Sequence, residues 1–345
     1  MTGGSQAFAA HVVAWQRAHG RCGLPWQGTR DPYRVWVSEI MLQQTQVATV
    51  LEYFPRFLRR FPDVKALAAV DLDDVLGLWS GLGYYSRARN LHRCAIAVVQ
   101  EHGGEFPRSA LQLQALPGIG RSTAGAIAAF CFGERVAILD GNVKRVLTRA
   151  LGFHADLAVA ANERALWDQA TALLPNRAQA MPGYTQGLMD LGASVCLVRN
   201  PNCPICPLRE LCVARRQGRP EHFPVKTRKL KRGAESLWLL QAQTAGGAFW
   251  LAKRPTPGIW AGLYCLPVFE SREALQAKLP RRFHARLRDV PPFTHVLTHK
   301  DLHLHPVAAQ LPASALAGVE GAWVAADRWA ALGLPAPIRT LLSRA

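Results

Sequence analysis

Four cysteines crowd one short stretch, Cys196, Cys203, Cys206 and Cys212, separated by six, two and five residues. The other four, Cys22, Cys94, Cys131 and Cys265, are scattered. In a reducing compartment such a cluster reads as a metal site, not as a disulfide framework. Thiolates are soft ligands, suited to iron–sulfur clusters or to zinc. Structural zinc usually shows two close cysteine pairs, and only one is present here. Ligand binding of this kind is coupled to folding, so the loop's role is expected to be structural.

The chain of 345 residues is long enough for two domains and a sizeable core. A net charge of +17 points to a polyanionic partner, though a ribosomal or membrane-surface protein would also be basic. No apolar run approaches the roughly 18 residues of a membrane span, so no membrane partner is expected. The first residues, with His11, Arg17, His19 and Arg21 spread through them, do not read as a signal peptide. The expected compartment is the cytoplasm, in association with the nucleoid.

Along the chain, residues 8–30 read as a helix and then a loop containing Trp26. A long helical pattern follows Asp31, with Val37, Ile40, Val47, Val50, Leu51 and Phe54 at helical spacing and Glu39 at the edge of the stripe. A polar run, Gln43-Gln44-Thr45-Gln46, sits within it. More helices fill 63–101, interrupted by Gly81-Leu82-Gly83-Tyr84-Tyr85 ahead of Arg87 and Arg89. Flat rings beside cations are what a wedge into a base stack requires. At Leu116-Pro117-Gly118-Ile119-Gly120 a turn separates two helical patterns. Glycine there permits positive φ and close approach of another chain. The next helix would begin with outward N–H groups able to hold a phosphate. Asp140 lies twenty residues beyond Gly120 and precedes another helix, where an aspartate also serves as a plain N-cap. Residues 213–234 are basic and read as a linker lying on DNA or as a solvated connector. From Ser236 short apolar runs flank Gly246-Gly247 as in a hairpin, and Val296–Val307 is strand-like.

Several of these stretches together resemble one family. The turn and its following aspartate resemble the helix-hairpin-helix DNA glycosylases of the endonuclease III-like superfamily. Ser38-Glu39-Ile40-Met41-Leu42-Gln43-Gln44-Thr45-Gln46-Val47 resembles the catalytic helix of the MutY family of mismatch adenine glycosylases almost residue for residue. The six-two-five cysteine spacing resembles the superfamily's [4Fe–4S] loop. Pro257-Gly258-Ile259-Trp260-Ala261-Gly262-Leu263-Tyr264 resembles a segment of that family's Nudix-like C-terminal domain. The glutamate-rich box of Nudix hydrolases is absent, so this domain is expected to bind and not to hydrolyse.

The resemblance covers about Trp26 to His305 and implies a fold, a site and a reaction. The fold would be a mostly α N-terminal half followed by a small α/β Nudix-like domain. Residues 1–212 would form the catalytic region, with a six-helix subdomain at about 30–135. An iron–sulfur subdomain would combine 1–29 with 136–212. The linker would be 213–234 and the reader of 8-oxoguanine 235–345. Glu39 would protonate adenine, Asp140 would stabilise the sugar cation, and Asn142 would position water or DNA. Trp26, Leu42 and Gln186 would line the adenine pocket. Tyr84 would intercalate beside the damaged guanine, with Gln44 filling the gap. Gly118 and Gly120 would hold a DNA phosphate, with a monovalent cation at the hairpin. Cys196, Cys203, Cys206 and Cys212 would carry one [4Fe–4S] cluster.

Two positions depart from the pattern or decide within it. Bifunctional relatives carry a lysine where this chain has Ser122, so strand cleavage through a Schiff base is not expected, although Lys144 is a neighbouring amine. The family's Phe-Ser-His triplet is here Leu297-Thr298-His299. Thr298 keeps a hydroxyl able to accept a hydrogen bond from the N7–H that distinguishes 8-oxoguanine from guanine. The expected substrate is double-stranded DNA with adenine opposite 8-oxoguanine or guanine, and the expected state is a monomer. The rival readings are a bifunctional glycosylase/lyase for oxidised pyrimidines and a non-catalytic iron–sulfur DNA-binding protein.

Overall fold

The computed structural model describes residues 2–227 and 231–344. The chain divides into two compact units. One joins Met1–Ala69 to Asn90–Lys229, and the other joins Val70–Arg89 to Leu230–Ala345. Among the described residues no helix is long and apolar enough to cross a membrane.

The first unit is helical. Its N-terminal helix, Thr2–His19, contributes Phe8, Ala9 and Val12 to a core shared with Leu139, Val143, Leu147, Leu166, Tyr184 and Leu188. The beginning of the chain and the residues after 136 therefore fold around one cluster. Asp31 opens the next helix, Pro32–Leu42, by accepting a hydrogen bond from the Tyr33 N–H at 2.9 Å. Pro32 at the first turn sacrifices no intrahelical bond. The long helix expected from the apolar spacing is in fact two helices, because Val47–Arg60 is separate. Gln43–Gln46 break the pattern, and Gln44 takes φ +55°, a left-handed conformation rare outside glycine. The spacing misleads because Val37, Ile40, Val50 and Phe54 are all buried, whichever of the two helices carries them. Leu51, counted in that stripe, is instead 40% exposed.

Helices Ala110–Ala115 and Arg121–Ile127 flank the turn at 116–120. Gly118 has φ +76°, and a Cβ there would lie 2.5 Å from the Asn90 Cβ. Gly120 needs no such freedom, since its φ is −82° and it is simply the N-cap of the second helix. The supposed linker is partly structured. Val213–Arg216 is helical and Phe223 is buried. Arg149 Nε donates to the Phe223 carbonyl at 3.3 Å, and the Leu157 N–H donates to the Val225 carbonyl at 3.0 Å. The basic charge of 213–227 hid these apolar and backbone anchors. The rest of the expected linker includes 228–230, which lie outside the described residues.

The second unit is built on a mixed sheet. Its strands are β1 (Gly233–Gln243), β2 (Phe249–Lys253), β3 (Tyr264–Cys265), β4 (Val268–Phe269), β5 (Arg288–Asp289), β6 (Phe293–Val296), β7 (Lys300–Gln310) and β8 (Ala322–Val324). The main order is β3-β2-β1-β7-β5, and β1 runs parallel to β7 in register from Gly233↔Lys300 to Gln243↔Gln310. Side chains alternate across the sheet, as the pleat requires. Leu237, Leu239, Leu302 and Leu304 pack with Ile338 and Leu342 of the helix Ala336–Ser343. Leu240, Ala242, Val307 and Ala309 pack with Leu275 of the helix Arg272–Ala277. The strand expected over 296–307 is two strands, because Leu297-Thr298-His299 form the turn between β6 and β7, closed by the Leu297 N–H to Lys300 carbonyl bond of 2.8 Å.

Residues 70–89 belong to this second unit and not to the helical subdomain over 30–135. Their helix, Leu72–Trp79, presents Asp73 to Lys253 Nζ at 2.6 Å and to the Tyr264 hydroxyl at 3.2 Å. The Tyr85 hydroxyl donates to the Leu334 carbonyl at 2.7 Å, and Arg89 Nη1 donates to the Ala261 carbonyl at 2.8 Å. Partners so distant in sequence leave no local pattern to read.

Candidate active site and cysteine loop

A cavity of about 1270 Å³ opens in the first unit. Trp26, Glu39, Leu42, Gln44, Ser122, Asp140, Asn142 and Gln186 all line it, arriving from separate segments of the chain. Gly118 and Gly120 are not among its lining residues. Glu39 sits near the end of Pro32–Leu42, surrounded by so much protein that its carboxyl is pushed up to about 8. Burial is the larger cause and the negative charge of Asp140 the second. Trp26 is held edge-on to Phe54, with ring centres 5.4 Å apart.

Asp140 is the N-cap of the helix Gly141–Leu151. Its Oδ1 accepts from the N–H groups of Asn142 at 2.6 Å and Val143 at 2.9 Å. The capping reading holds, and the capped aspartate also lines the cavity. The bonds fix the carboxylate at the positive end of a helix dipole, where negative charge is favoured. Ser122 Oγ accepts from the Leu139 N–H at 3.0 Å, which ties the post-hairpin helix to the segment carrying Asp140. Lys144 forms an ion pair with Glu163 and does not line the cavity.

Two polar networks escaped sequence reasoning. Arg145 lines the cavity and donates from Nη2 to Asn142 Oδ1 at 2.8 Å and to the Gly192 carbonyl at 2.6 Å. Its spacing, three residues after Asn142 on one helix, was the available signal. Asp190 is fully buried and accepts from Gln186 Nε2 at 2.9 Å, the Arg21 N–H at 3.0 Å and Arg21 Nε at 2.7 Å. It fixes one edge of the cavity through Gln186, four residues earlier.

The helix Gly141–Leu151 also reaches the cysteine loop. Arg145 Nε donates to the Cys196 carbonyl at 2.8 Å, and the buried Arg149 places Nη1 3.3 Å from Cys196 Sγ and 2.6 Å from the Leu197 carbonyl. Cys212 Sγ lies 3.4 Å from the Arg149 carbonyl oxygen. The Cys206 thiol is raised to about 11, first by burial and then by the charges of Cys196, Cys212 and Cys203. All four sulfurs thus share one half-buried neighbourhood with a cation beside it. Among the described residues no three His, Cys, Asp or Glu side chains form a group for a single metal ion. A soft, all-thiol donor set is chemically suited to an iron–sulfur group.

The second unit holds the remaining predicted residues. Tyr84 is 43% exposed and takes φ +46°, in a loop where Gly81 has φ +108° and Gly83 φ +70°. The buried Arg87 donates from Nη2 to the carbonyls of Leu82 at 3.0 Å and Gly83 at 3.1 Å. Its guanidinium lies 5.5 Å from the centre of the Tyr84 ring. The Tyr84 hydroxyl hydrogen-bonds Thr298 Oγ1 at 2.9 Å. Leu297, in place of the family's Phe, packs against the core beneath β1 and β7. His299 is exposed, and its carbonyl accepts from the Gly233 N–H at 3.1 Å.

Residues 37–171 match the HhH-GPD superfamily of base excision DNA repair proteins, and residues 238–344 match the NUDIX domain. The adenine DNA glycosylase of Buchnera aphidicola (strain APS) is 37% identical over 340 residues, covering 97% of this chain and 96% of that protein. The adenine DNA glycosylase of Homo sapiens is 36% identical, over 84% of this chain and 63% of the human protein. Among solved structures, a thermostable thymine-DNA glycosylase superimposes on 62% of this chain and 97% of its own, with a TM-score of 0.55 at 26% identity. With both domain matches in order and a relative matched almost end to end, the chain belongs to the adenine DNA glycosylases, the MutY family of the helix-hairpin-helix superfamily.

Proposed function

We propose that this DNA-repair hydrolase removes adenine paired with 8-oxoguanine or guanine, leaving an abasic site and an uncut strand. The observation that carries the reading is the cavity in which Glu39, raised to about 8, stands with Asp140. An adenine inside a duplex is unreachable, so it must be flipped out at a cost of about a few kcal/mol, less in a mismatch. The cavity that would take the base has a volume of about 1270 Å³ and counts Trp26, Leu42 and Gln186 among its lining. Adenine leaves only after protonation, and the sugar then passes through a cation. Glu39 is protonated at neutral pH and donates to the base; Asp140 meets the developing positive charge on the sugar. Arg145 orients Asn142, which in turn orders water or DNA at the reacting centre.

Two observations favour this over the lyase reading. The position of the missing lysine is Ser122, whose hydroxyl already receives the Leu139 N–H, and Lys144 is engaged by Glu163. Cys196, Cys203, Cys206 and Cys212 would hold a [4Fe–4S] cluster, which when bound stabilises the loop against which Arg145 and Arg149 are set. In the second unit the Tyr84–Thr298 pair would read the base opposite adenine.

The decisive variant is Glu39→Gln, which keeps the shape and removes the acid. It should bind a duplex with adenine opposite 8-oxoguanine as the parent does and release no adenine. Turnover near the parent rate would remove Glu39 from the reaction.

A further inference from the structure

Tyr84 holds a left-handed backbone, and such strain persists only where the surroundings over-determine it. Part of the restraint is local: Arg87 grips Leu82 and Gly83, and Trp79 Nε1 donates to the Gly83 carbonyl at 3.1 Å. Another part comes from the far end of the chain. On the C-terminal helix Ala336–Ser343, Arg339 donates to Ser80 Oγ from Nη2 at 2.9 Å and from Nε at 3.3 Å. The same guanidinium donates to the carbonyls of Ala330 and Leu332, each at 3.0 Å. The Ser80 hydroxyl donates a hydrogen bond to the Leu334 carbonyl at 3.2 Å, the oxygen that also accepts from the Tyr85 hydroxyl at 2.7 Å. Ser80 and Tyr85 are the two shoulders of the loop whose tip is Tyr84. One planar cation thus joins the 329–334 segment to the base of the wedge, with a fork geometry that lysine cannot copy.

We propose that Arg339 is a positioning residue for mismatch discrimination: by pinning Ser80, and with it Tyr85, it fixes the loop that presents the Tyr84 hydroxyl to Thr298. This rests on the reading that the Tyr84–Thr298 pair senses the base opposite adenine, and it assigns a role in that sensing to a residue outside the pair. Arg339 acts on Ser80, not on either member of the pair. Its effect passes along a short covalent path, from Ser80 through two glycines to Tyr84. With those glycines at positive φ, the backbone between the shoulders has little stiffness of its own and depends on how its ends are held. Segment 70–89 therefore owes its working geometry in part to the C-terminal helix, across the Ser80–Arg339 separation of 259 residues.

The test uses the full-length, cluster-loaded protein and two readouts. The first is amide exchange of residues 81–86 in the DNA-free protein. Arg339→Met should speed it about tenfold, the equivalent of losing one charged hydrogen bond, while exchange in the helix Gly141–Leu151 stays unchanged. The second is the ratio of single-turnover rates for adenine opposite 8-oxoguanine and opposite guanine, corrected for active fraction. Arg339→Met, Tyr84→Phe and the double variant form a cycle. If Arg339 acts through the Tyr84 hydroxyl, each single change lowers the ratio about tenfold and the double change lowers it no further. Ser80→Ala, a small change at the same joint, should reproduce Arg339→Met should that variant fold poorly. Unchanged exchange at 81–86 in both Arg339→Met and Ser80→Ala overturns the proposal, and so do independent, multiplying losses in the cycle. A parent protein without any preference for 8-oxoguanine would instead defeat the sensing reading, and the exchange result would still decide whether Arg339 positions the loop.

Discussion

At the scale of single residues, the account turns on Glu39 carrying a proton where an ordinary glutamate would not. Burial and the charge of Asp140 raise it to about 8, so the acid form prevails up to that pH and the rate of base release should fall as pH rises through about 8. The same shift has a stability consequence. Below about 4.5 the carboxyl is protonated in both folded and unfolded chains and costs nothing. Between about 4.5 and 8 the unfolded chain releases the proton and the folded one keeps it, so stability declines as pH rises. Glu39→Gln escapes that decline. Its melting temperature should match the parent at pH 4 and exceed it at pH 8, as thermal unfolding at both pH values will show. In the second unit Thr298→Val keeps the shape and deletes the hydroxyl bonded to Tyr84. The preference for 8-oxoguanine over guanine should fall about tenfold in single-turnover assays, with adenine release opposite guanine little changed.

At the scale of elements, the helix Gly141–Leu151 does several things at once. Its cap is Asp140, its first turn carries Asn142, and its later turns carry Arg145 and Arg149 toward the cysteine loop. Arg149 is buried and donates to Leu197 and Val198 carbonyls as well as approaching Cys196 Sγ. Arg149→Leu strips these bonds and leaves part-buried carbonyls without their donor, a loss of about 2 kcal/mol. The variant should purify with less iron and less visible absorbance than the parent, and an iron content equal to the parent would show that the loop stands without this brace. Part of this element was legible beforehand, since Asp140 ahead of an apolar helical pattern is a local cap signal. The break at Gln43–Gln46 was not, because buried positions on two successive helices mimic the period of one long helix. Arg145 and Asp190 were hidden for another reason, since their partners, Cys196 and Arg21, lie far off in sequence.

At the scale of the whole molecule, the main surprise is the allegiance of residues 70–89. The helical pattern and the family resemblance assign them to the helical half, yet Asp73, Ser80, Tyr85 and Arg89 all bond to residues beyond 230. Segment 70–89 thus groups with 230–345 through non-local packing that its local helical pattern does not reveal. A chain ending at residue 227 would lose every one of those partners. Trypsin should then cut it quickly at Arg87 or Arg89, sites that the full-length protein protects, as mass spectrometry of a timed digest would reveal. Equal protection in both chains would mean that the segment is held by the helical unit.

The most direct measurement for the whole account is single-turnover release of adenine from a labelled duplex, with 8-oxoguanine, guanine or thymine opposite, read with and without alkali. The account predicts strand breaks only after alkali, fastest opposite 8-oxoguanine, slower opposite guanine and negligible opposite thymine. Breaks without alkali, or equal rates with all three partners, would contradict it.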